Sequence, residues 1–502
     1  MDFPRSGGLL LPIFSLPGSS AIGNIGPPAR RFVDFLAATG QSVWQLLPLG
    51  PPARGNSPYS CWSAFAGNPL FISPEDLVDA GLLTADETAH LTAGQPSSQI
   101  VDYDLALTQK VPLLRAAWQR FRKVQPGHLV AEQQRFRDEH RSWLHDFARF
   151  DVLEDRFGDP DWLQWPADLR SRLPDALAEC DRQFADEIDF SVFTQFLFYR
   201  QWAGLKQYAA DRRVRLYGDM PIFVAHESAD VWTHQDLFQL DESGVSTVVA
   251  GVPPDYFSAT GQKWGNPLYR WDRIAETGFD WWNRRFRNAL ELYDLLRIDH
   301  FRGFESYWEI PADAEDATSG HWRSGPGTAP FDAARAACGP LPIVAEDLGL
   351  ITDEVHALRE RLEFPGMRVL QFGFGSAEDN YHRPEAYPVN SVAYTGTHDN
   401  DTIMSWYGAM SKDGWAGELL RHYVSQDSVT PHLDLIRSVM HSASHTVVVP
   451  VQDLLGLGAE ARMNTPGEPK GNWVWRCPEG MYTDSVADVL RSMTAESHRI
   501  QL

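Results

Sequence analysis

Acidic side chains follow four apolar runs of the sequence at the point where each run ends. They are Asp219, Asp299, Glu346 with Asp347, and Asp399. Breaking or transferring a glycosidic bond needs one carboxylate at the anomeric carbon and one carboxylic acid to protonate the leaving oxygen. The acids therefore indicate glycosidic chemistry, provided that the fold brings them together. Basic and amide side chains accompany them, namely Arg297, His300, Arg302, His398 and Asn400.

The neighbours of two of these acids predict different roles for them. Arg297 and Asp299 are two residues apart on a strand, so they point to the same side, and the guanidinium favours an ionised aspartate, which suits a nucleophile. Glu346 would need a pKa raised by burial and by neighbouring carboxylates to act as a general acid. Alternation along the strand leaves open whether Glu346 or Asp347 faces inward. Asp399 would be the third acid, binding sugar hydroxyls.

The histidines and two short motifs have competing interpretations. His300 and His398 are each consistent with a structural histidine, although His398 is the better placed for substrate hydroxyls. His398, Asp399 and Asp401 are a conceivable metal site, but no further clustered ligands support one, and no metal is expected. The stretch GLGAEA from Gly456 has the outline of a dinucleotide fingerprint, a weak signal in isolation.

Eight short, nearly continuous apolar runs must position these residues. Such runs are typical of parallel strands covered on both faces. Helical patterns lie between them; one begins at Pro27 and Pro28, places Phe32 and Leu36 on one face, and ends at Gly40. This alternation predicts an α/β fold, a (β/α)₈ TIM barrel with its catalytic residues at the carboxyl ends of the strands. The runs begin at Gly7, Ser42, Val214, Leu295, Pro342, Gly366, Ser391 and His445.

The spacing of the strands predicts insertions at the carboxyl-terminal face of a single catalytic barrel domain that spans residues 1–502. From Pro48 to Asp219 the chain runs 171 residues, far too many for one strand–helix unit. Residues 55–190 are therefore expected to form an inserted, mainly helical subdomain. Residues 225–277, rich in glycine, proline and aromatic residues, are expected to form a second insertion that binds substrate.

Composition excludes several classes of protein. With 44 Lys and Arg against 67 Asp and Glu, the net charge is −23, which argues against nucleic-acid binding. No apolar run is long enough to predict a membrane span. The four cysteines are far apart, as expected for a cytoplasmic protein without a disulfide framework. The 18 tryptophans fit either a large core or a sugar ligand, and composition does not decide between them.

Longer motifs make the sequence recognisable. They closely resemble the 4-α-glucanotransferases, the amylomaltase or disproportionating-enzyme family (glycoside hydrolase family 77), which is related to the α-amylases. The similarity extends from about Arg5 to Trp475. It implies a barrel without the separate C-terminal β domain of the amylases. The motifs are SPYSCWSAFAGNP, GDMPIFVAHESADVW, VAGVPPDYFSATGQKWGNPLYRW, LRIDHFRGFESYWEIP, AEDLG, YTGTHDNDT and EARMNTPG with GNWVWR.

The resemblance implies a role for each matching residue. Asp299 matches the catalytic nucleophile, Glu346 the acid/base, and Asp399 the aspartate that stabilises the transition state. Substrate-binding positions around the cleaved bond fall on Arg297, His398 and Asp219. The loop that arches over the cleft in relatives falls on Tyr256, Phe257 and Trp264, and further sugar contacts on Tyr59, Asn266 and Asn464. Arg54 stands where some relatives carry an aromatic residue against the glucan, a departure that puts this outer binding site in doubt.

The expected reaction is a retaining double displacement through a covalent glucosyl-enzyme intermediate, with α-1,4-glucans and malto-oligosaccharides as substrates. Because transfer conserves the bond energy, no nucleotide or other cofactor is expected. Two alternatives remain open: an α-1,4-glucan hydrolase that uses the same acids, and a non-catalytic glucan-binding barrel. The sequence leaves the oligomeric state undetermined.

Overall fold

Eight parallel strands close into a barrel in the computed structural model, which describes residues 5–18, 20–91, 99–158, 161–254, 258–375 and 379–500. Each of the eight predicted apolar runs overlaps one of these strands, so the predicted barrel is confirmed. The barrel strands are β1 (Ser6–Leu10), β2 (Val43–Gln45), β3 (Arg215–Pro221), β6 (Leu295–Asp299), β9 (Ile343–Ala345), β10 (Gly366–Val369), β11 (Ser391–Tyr394) and β12 (Thr446–Pro450).

The strand order around the barrel is β1-β12-β11-β10-β9-β6-β3-β2, and all neighbouring pairs are parallel. The strands are buried almost throughout, as their continuous apolar sequence predicts. Parallel pairing brings the carboxyl ends of all eight strands to one mouth. In the register of β3 with β6, Asp219 lies opposite Arg297.

Helices surround the barrel and fill the long connection between β2 and β3. The helix that begins at Pro27 is confirmed, and its Phe32 and Leu36 side chains are buried. The described helices are α1 (Pro27–Ala38), α2 (Pro74–Asp79), α3 (Ala85–Thr88), α4 (Tyr103–Val124), α5 (Gly127–Glu139), α6 (Leu144–Phe157), α7 (Ala167–Arg170), α8 (Pro174–Gln183), α9 (Ala185–Ala210), α10 (Ala229–Thr233), α11 (Trp271–Glu276), α12 (Asp280–Leu292), α13 (Ala329–Cys338), α14 (Asp353–Arg361), α15 (Ile403–Met410), α16 (Gly414–Leu420), α17 (Pro431–Met440), α18 (Val451–Leu454) and α19 (Asp484–Glu496).

The connection from β2 to β3 contains helices α2 to α9. Helix α9 runs continuously through residue 190 and packs against both α1 and β3. The predicted boundary therefore falls inside a helix that belongs to the wall of the barrel. The division of the chain into a barrel and inserted subdomains stays a prediction.

A second sheet lies outside the barrel. Its strands are β4 (Val248–Val252), β5 (Gln262–Pro267), β7 (Ser306–Pro311) and β8 (His321–Ser324), in the order β5-β4-β7-β8 and all antiparallel. Strands β4 and β5 belong to the predicted 225–277 insertion, whereas β7 and β8 follow barrel strand β6. The sheet thus joins two loops of the barrel mouth whose pairing the sequence did not predict.

After β12, the described residues up to 500 contain helices α18 and α19 and no further strand. Among the helices that the structure describes, none combines the length and the apolar character needed to span a membrane.

A buried charge cluster fixes the end of β9 beneath the mouth. Asp347 is fully buried and accepts a hydrogen bond of 2.6 Å from the backbone N–H of Met367. Its carboxylate lies 3.2 Å from Arg359 and 3.4 Å from Arg368. A Cβ atom added at Gly366 would lie only 2.3 Å from Oδ2 of Asp347, so only glycine fits there.

Replacing Gly366 with alanine is expected to displace the Asp347 carboxylate from its two arginines and lower the free energy of unfolding by about 2–4 kcal/mol. Gly204→Ala is the matched control, because Gly204 lies in α9 with no atom near the added methyl group. That variant should gain about 0.5–1 kcal/mol from helix propensity. Urea unfolding measures both; equal stability of the two variants would contradict the close packing of Gly366 against Asp347.

Candidate active site

A cleft of about 720 Å³ opens at the carboxyl ends of the barrel strands. Asp299, at the end of β6, and Glu346, directly after β9, both line it. Asp399, on the loop after β11, lines it as well. The structure thus brings these three sequence-predicted acids together. Other predicted residues in the cleft wall are Arg297, His398, Tyr59, Trp264, Asn266 and Asn464.

Arg297 connects two of the acids. Its guanidinium is almost fully buried and donates to both oxygens of Asp219, at 2.8 and 2.7 Å, and to Oδ1 of Asp299, at 2.7 Å. Burial lowers the pKa of Arg297, but Asp219 and Asp299 outweigh that effect, so the pKa is raised well above its usual value. A permanent positive charge therefore lies against the Asp299 carboxylate.

Glu346 has a different environment. It accepts hydrogen bonds from two backbone N–H groups, those of His300 at 2.7 Å and Leu348 at 3.0 Å. Burial raises the pKa of Glu346 to about 8, against the opposing effect of Arg297. The left-handed backbone of His300, with φ of 53°, occurs at the residue that donates to Glu346. Since Asp347 is buried among its arginines, Glu346 is the one of the pair that faces the cleft.

Asp399 is held by three neighbours. Nε2 of His398 lies 3.3 Å from its Oδ2, and the side-chain amide of Asn464 donates to its Oδ1 at 2.6 Å. Arg462 donates to the backbone carbonyl of Asp399 at 3.1 Å and to that of Asn464 at 2.8 Å. Although burial raises the pKa of Asp399, His398 and Asn464 bring it to well below its usual value. Asp399 is therefore a carboxylate at neutral pH.

Tyr59 joins the Asp219 side of the site to the Asp399 side. Its hydroxyl donates to Oδ2 of Asp219 at 2.7 Å and lies 3.3 Å from Nδ1 of His398, whose ring stacks on it at 4.9 Å. The Asp219 side chain is fully buried and lines a small cavity of about 70 Å³ next to the cleft. It holds Arg297 and Tyr59 in place, and its direct contact with substrate stays a prediction.

Two of the residues predicted to contact sugar, Trp264 and Asn266, lie on β5 at the cleft wall. Trp264 is 38% exposed, and its ring meets that of His300 edge-on at 4.8 Å. The Asn266 side chain donates to the carbonyl of Val224 at 2.9 Å. Trp282, on α12, is fully buried and belongs to the core. Tyr256 and Phe257 lie outside the described residues, and so does the side chain of Arg54.

Among the residues that the structure describes, no group of three or more His, Cys, Asp and Glu side chains is arranged to hold a metal ion.

Comparison with known proteins agrees with this geometry. A family profile described as 4-alpha-glucanotransferase matches residues 11–482. The chain is 45% identical to the 4-alpha-glucanotransferase of Thermus thermophilus over the full length of both chains. It is 42% identical to the chloroplastic/amyloplastic 4-alpha-glucanotransferase of Solanum tuberosum, over 99% of this chain and 87% of the relative. The chain belongs to the 4-alpha-glucanotransferase family.

A solved structure extends the similarity to the fold. The amylomaltase from Streptococcus agalactiae, in complex with acarbose, matches this 4-alpha-glucanotransferase family member with a TM-score of 0.94 and 36% sequence identity. The match covers 99% of this chain and all of the amylomaltase. The barrel, the second sheet and the helical connection are therefore those of a family fold.

Asp453 of this 4-alpha-glucanotransferase family member was not predicted from the sequence. This buried residue accepts a hydrogen bond from the Thr395 hydroxyl, at 2.5 Å, and from the N–H of Ile403, at 2.7 Å. The two donors flank the loop that carries His398 and Asp399, so Asp453 holds both ends of that loop. The signal that could have found it was the one used for the other acids, because Asp453 follows the apolar run from His445.

Several aromatic residues of the cleft were also missed. The ring of Trp473 packs against those of Tyr59, at 5.8 Å, and His398, at 5.9 Å. Phe372 and Trp322 line the cleft as well. In a chain with 18 tryptophans, the sequence offers no signal that separates these from the rings of the core.

The raised pKa of Glu346 makes stability depend on pH. Between its unfolded pKa of about 4.5 and its folded pKa of about 8, the folded state binds more protons than the unfolded state, so stability falls as pH rises. The side chain that Glu346→Gln introduces cannot ionise. At pH 9 the free energy of unfolding of this variant is therefore expected to exceed that of the wild type by about 1–2 kcal/mol. This gain should shrink toward pH 5.

The control for this comparison is Glu354→Gln. Glu354 is exposed, and a hydrogen bond with Thr352 lowers its pKa. The change in melting temperature caused by Glu354→Gln should therefore be the same throughout pH 5–9. A Glu346→Gln offset that is equally constant would contradict the protonated state assigned to Glu346.

Proposed function

We propose that this protein is a 4-alpha-glucanotransferase that transfers a segment of an α-1,4-glucan to the 4-hydroxyl of an acceptor glucose or glucan. The observation that carries the proposal is the contrast between two carboxyl groups in one cleft. Asp299 lies against the Arg297 guanidinium, whereas burial gives Glu346 a pKa of about 8. One group is suited to nucleophilic attack and the other to proton donation.

In the first step, the Asp299 carboxylate attacks the anomeric carbon of the glucan. The bond between that carbon and the bridging oxygen breaks as Glu346 donates its proton to the oxygen. The shortened glucan leaves with a free 4-hydroxyl group, and the transferred segment remains as an ester of Asp299. Glu346 is then a carboxylate, which its two backbone N–H donors stabilise.

In the second step, Glu346 accepts the proton of the acceptor 4-hydroxyl. The acceptor oxygen attacks the anomeric carbon, and the ester bond to Asp299 breaks. An α-1,4 bond forms with the same configuration as the original, and both carboxyl groups return to their starting states. The reaction exchanges one glycosidic bond for another, so its balance needs no nucleotide and no cofactor.

The remaining site residues support this chemistry from fixed positions. Asp399, ionised between His398 and Asn464, is placed to bind sugar hydroxyls and to stabilise positive charge at the anomeric centre. Asp219 acts through Arg297 and Tyr59. The relatives' names and the acarbose bound to the streptococcal amylomaltase support a glucan as the substrate.

The main alternative is an α-glucan hydrolase with the same acids. Incubation of the purified protein with maltotriose separates the two reactions. Transfer is expected to produce a ladder of chains both longer and shorter than maltotriose, measured by anion-exchange chromatography. Exclusive formation of glucose and maltose, with one new reducing end per bond cleaved, would replace the proposal by the hydrolase.

Replacement of the nucleophile tests the catalytic assignment. Asp299→Asn keeps the size of the side chain and its contact with Arg297 but cannot form the ester. We expect turnover to fall by at least about 10⁴-fold, while calorimetry shows that maltoheptaose still binds. Turnover within tenfold of wild type would refute the assignment. The exposed Asp175→Asn, at the start of α8, is the matched control and should leave turnover unchanged.

We further propose a cytoplasmic location. All four cysteines are unpaired, as is usual in a reducing compartment. The location would differ from that of the potato relative, which is named chloroplastic/amyloplastic. Fractionation of the source cells tests it, and recovery of the protein from an organelle or a secreted fraction would contradict it.

A further inference from the structure

Two tryptophans of the cleft wall are more than one-third exposed. Trp264 is 38% exposed, and Trp322 is 39% exposed. Trp264 lies in the segment predicted to contact sugar, whereas Trp322 has no role in the chemistry described so far. Exposure of a large apolar ring to water is unfavourable. A ligand that covers such a ring beside a substrate cleft therefore binds more tightly.

Trp322 is held rigidly from its own sheet. In the register of β7 with β8, Trp308 lies directly opposite Trp322, and the two rings meet edge-on with their centroids 5.1 Å apart. The indole N–H of Trp308 donates to the carbonyl of Ala317 at 2.9 Å, which fixes the supporting ring. Cross-strand aromatic pairs of this kind restrict side-chain rotation.

Arg302 supports Trp322 from the side of the barrel. Its guanidinium carbon lies 3.8 Å from the centre of the Trp322 ring, which is a close cation–π contact. The same guanidinium donates to the carbonyl of Leu350 and, at 3.1 Å, to the hydroxyl of Ser306. Leu350 lies four residues after Glu346, so Arg302 couples the ring to the loop that follows the proposed acid/base.

Two groups of residues line the cleft wall. In the first, Tyr59, His398 and Trp473 pack against each other beside Asp399. In the second, Arg302 joins Trp322 to Leu350, on the loop that follows Glu346. In the proposed reaction Glu346 gives its proton to the departing sugar and takes one from the acceptor. Both of these sugars must consequently occupy the Glu346 side.

We propose that Trp322 is the stacking platform for a glucose unit of the acceptor beyond the one that reacts, and that it thereby sets the preference for acceptors longer than glucose. Pyranose rings present flat faces of C–H groups that pack on an indole. The proposal rests on the proposed function, because it takes the acceptor side from the role of Glu346.

The test uses as the donor an α-maltotriosyl fluoride that lacks the 4-hydroxyl group of its non-reducing end, because its fluoride leaving group needs no sugar on the acceptor side and the donor cannot itself serve as an acceptor. Initial rates of transfer are measured with glucose and with maltotriose as acceptors. In Trp322→Ala, we expect the KM for maltotriose to rise about tenfold, equivalent to the loss of one stacking contact. The KM for glucose and the rate of fluoride release without acceptor should change less than twofold. Trp322→Phe, which keeps a ring, should restore most of the maltotriose affinity.

Trp415→Ala is the matched control. Trp415 is 41% exposed on α16, with the Arg383 guanidinium 5.5 Å from its ring, but it does not line the cleft. It should leave both acceptor KM values unchanged. The proposal is overturned if Trp322→Ala raises the KM values for glucose and maltotriose equally, or if it raises the KM for the fluoride donor instead. It is also overturned if Trp322→Ala leaves both acceptor KM values unchanged, as Trp415→Ala does. A wild-type protein that releases fluoride but transfers to neither acceptor would overturn the proposed function itself, and this inference with it.

Discussion

The buried guanidinium of Arg297 is the interaction on which the site depends. It lies between Asp219 on β3 and Asp299 on β6, and it contacts both carboxylates within 2.8 Å. Two carboxylates in a poorly solvated barrel mouth repel each other and favour protonation, unless a positive charge lies between them. Arg297 supplies that charge from a barrel strand, where the backbone fixes its position. Removing it would leave buried negative charge uncompensated at the reaction centre.

The same mouth gives Glu346 the opposite protonation state. Glu346 follows β9, which neighbours β6 on the side away from Asp219. Its two oxygens accept hydrogen bonds from backbone N–H groups. Burial raises the pKa of Glu346 to about 8. Asp399, by contrast, stays ionised because His398 and Asn464 lower its pKa. One rigid sheet therefore places carboxyl groups of different charge around a single cleft, as a retaining double displacement requires.

Local sequence was sufficient for the barrel and for the acids at its strand ends, because both depend on short apolar runs and on the residue types directly after each run. It could not decide between Glu346 and Asp347, since the decision lies with Arg359 and Arg368, which reach Asp347 from later elements. The second sheet was missed for a similar reason: β4 and β7 pair across an intervening helix pair and a barrel strand. Trp322 and Asp453 acquire their partners only through such long-range contacts.

The central claim is that Glu346 holds a proton at neutral pH while Asp399, in the same cleft, is ionised. Infrared difference spectroscopy of wild type against Glu346→Gln tests it most directly, because a protonated carboxylic acid and a carboxylate absorb in separate regions. The account predicts that the difference spectrum contains a carboxylic-acid band at pH 6 that disappears with a midpoint near pH 8. A carboxylate band already present at pH 6, and unchanged up to pH 9, would contradict it.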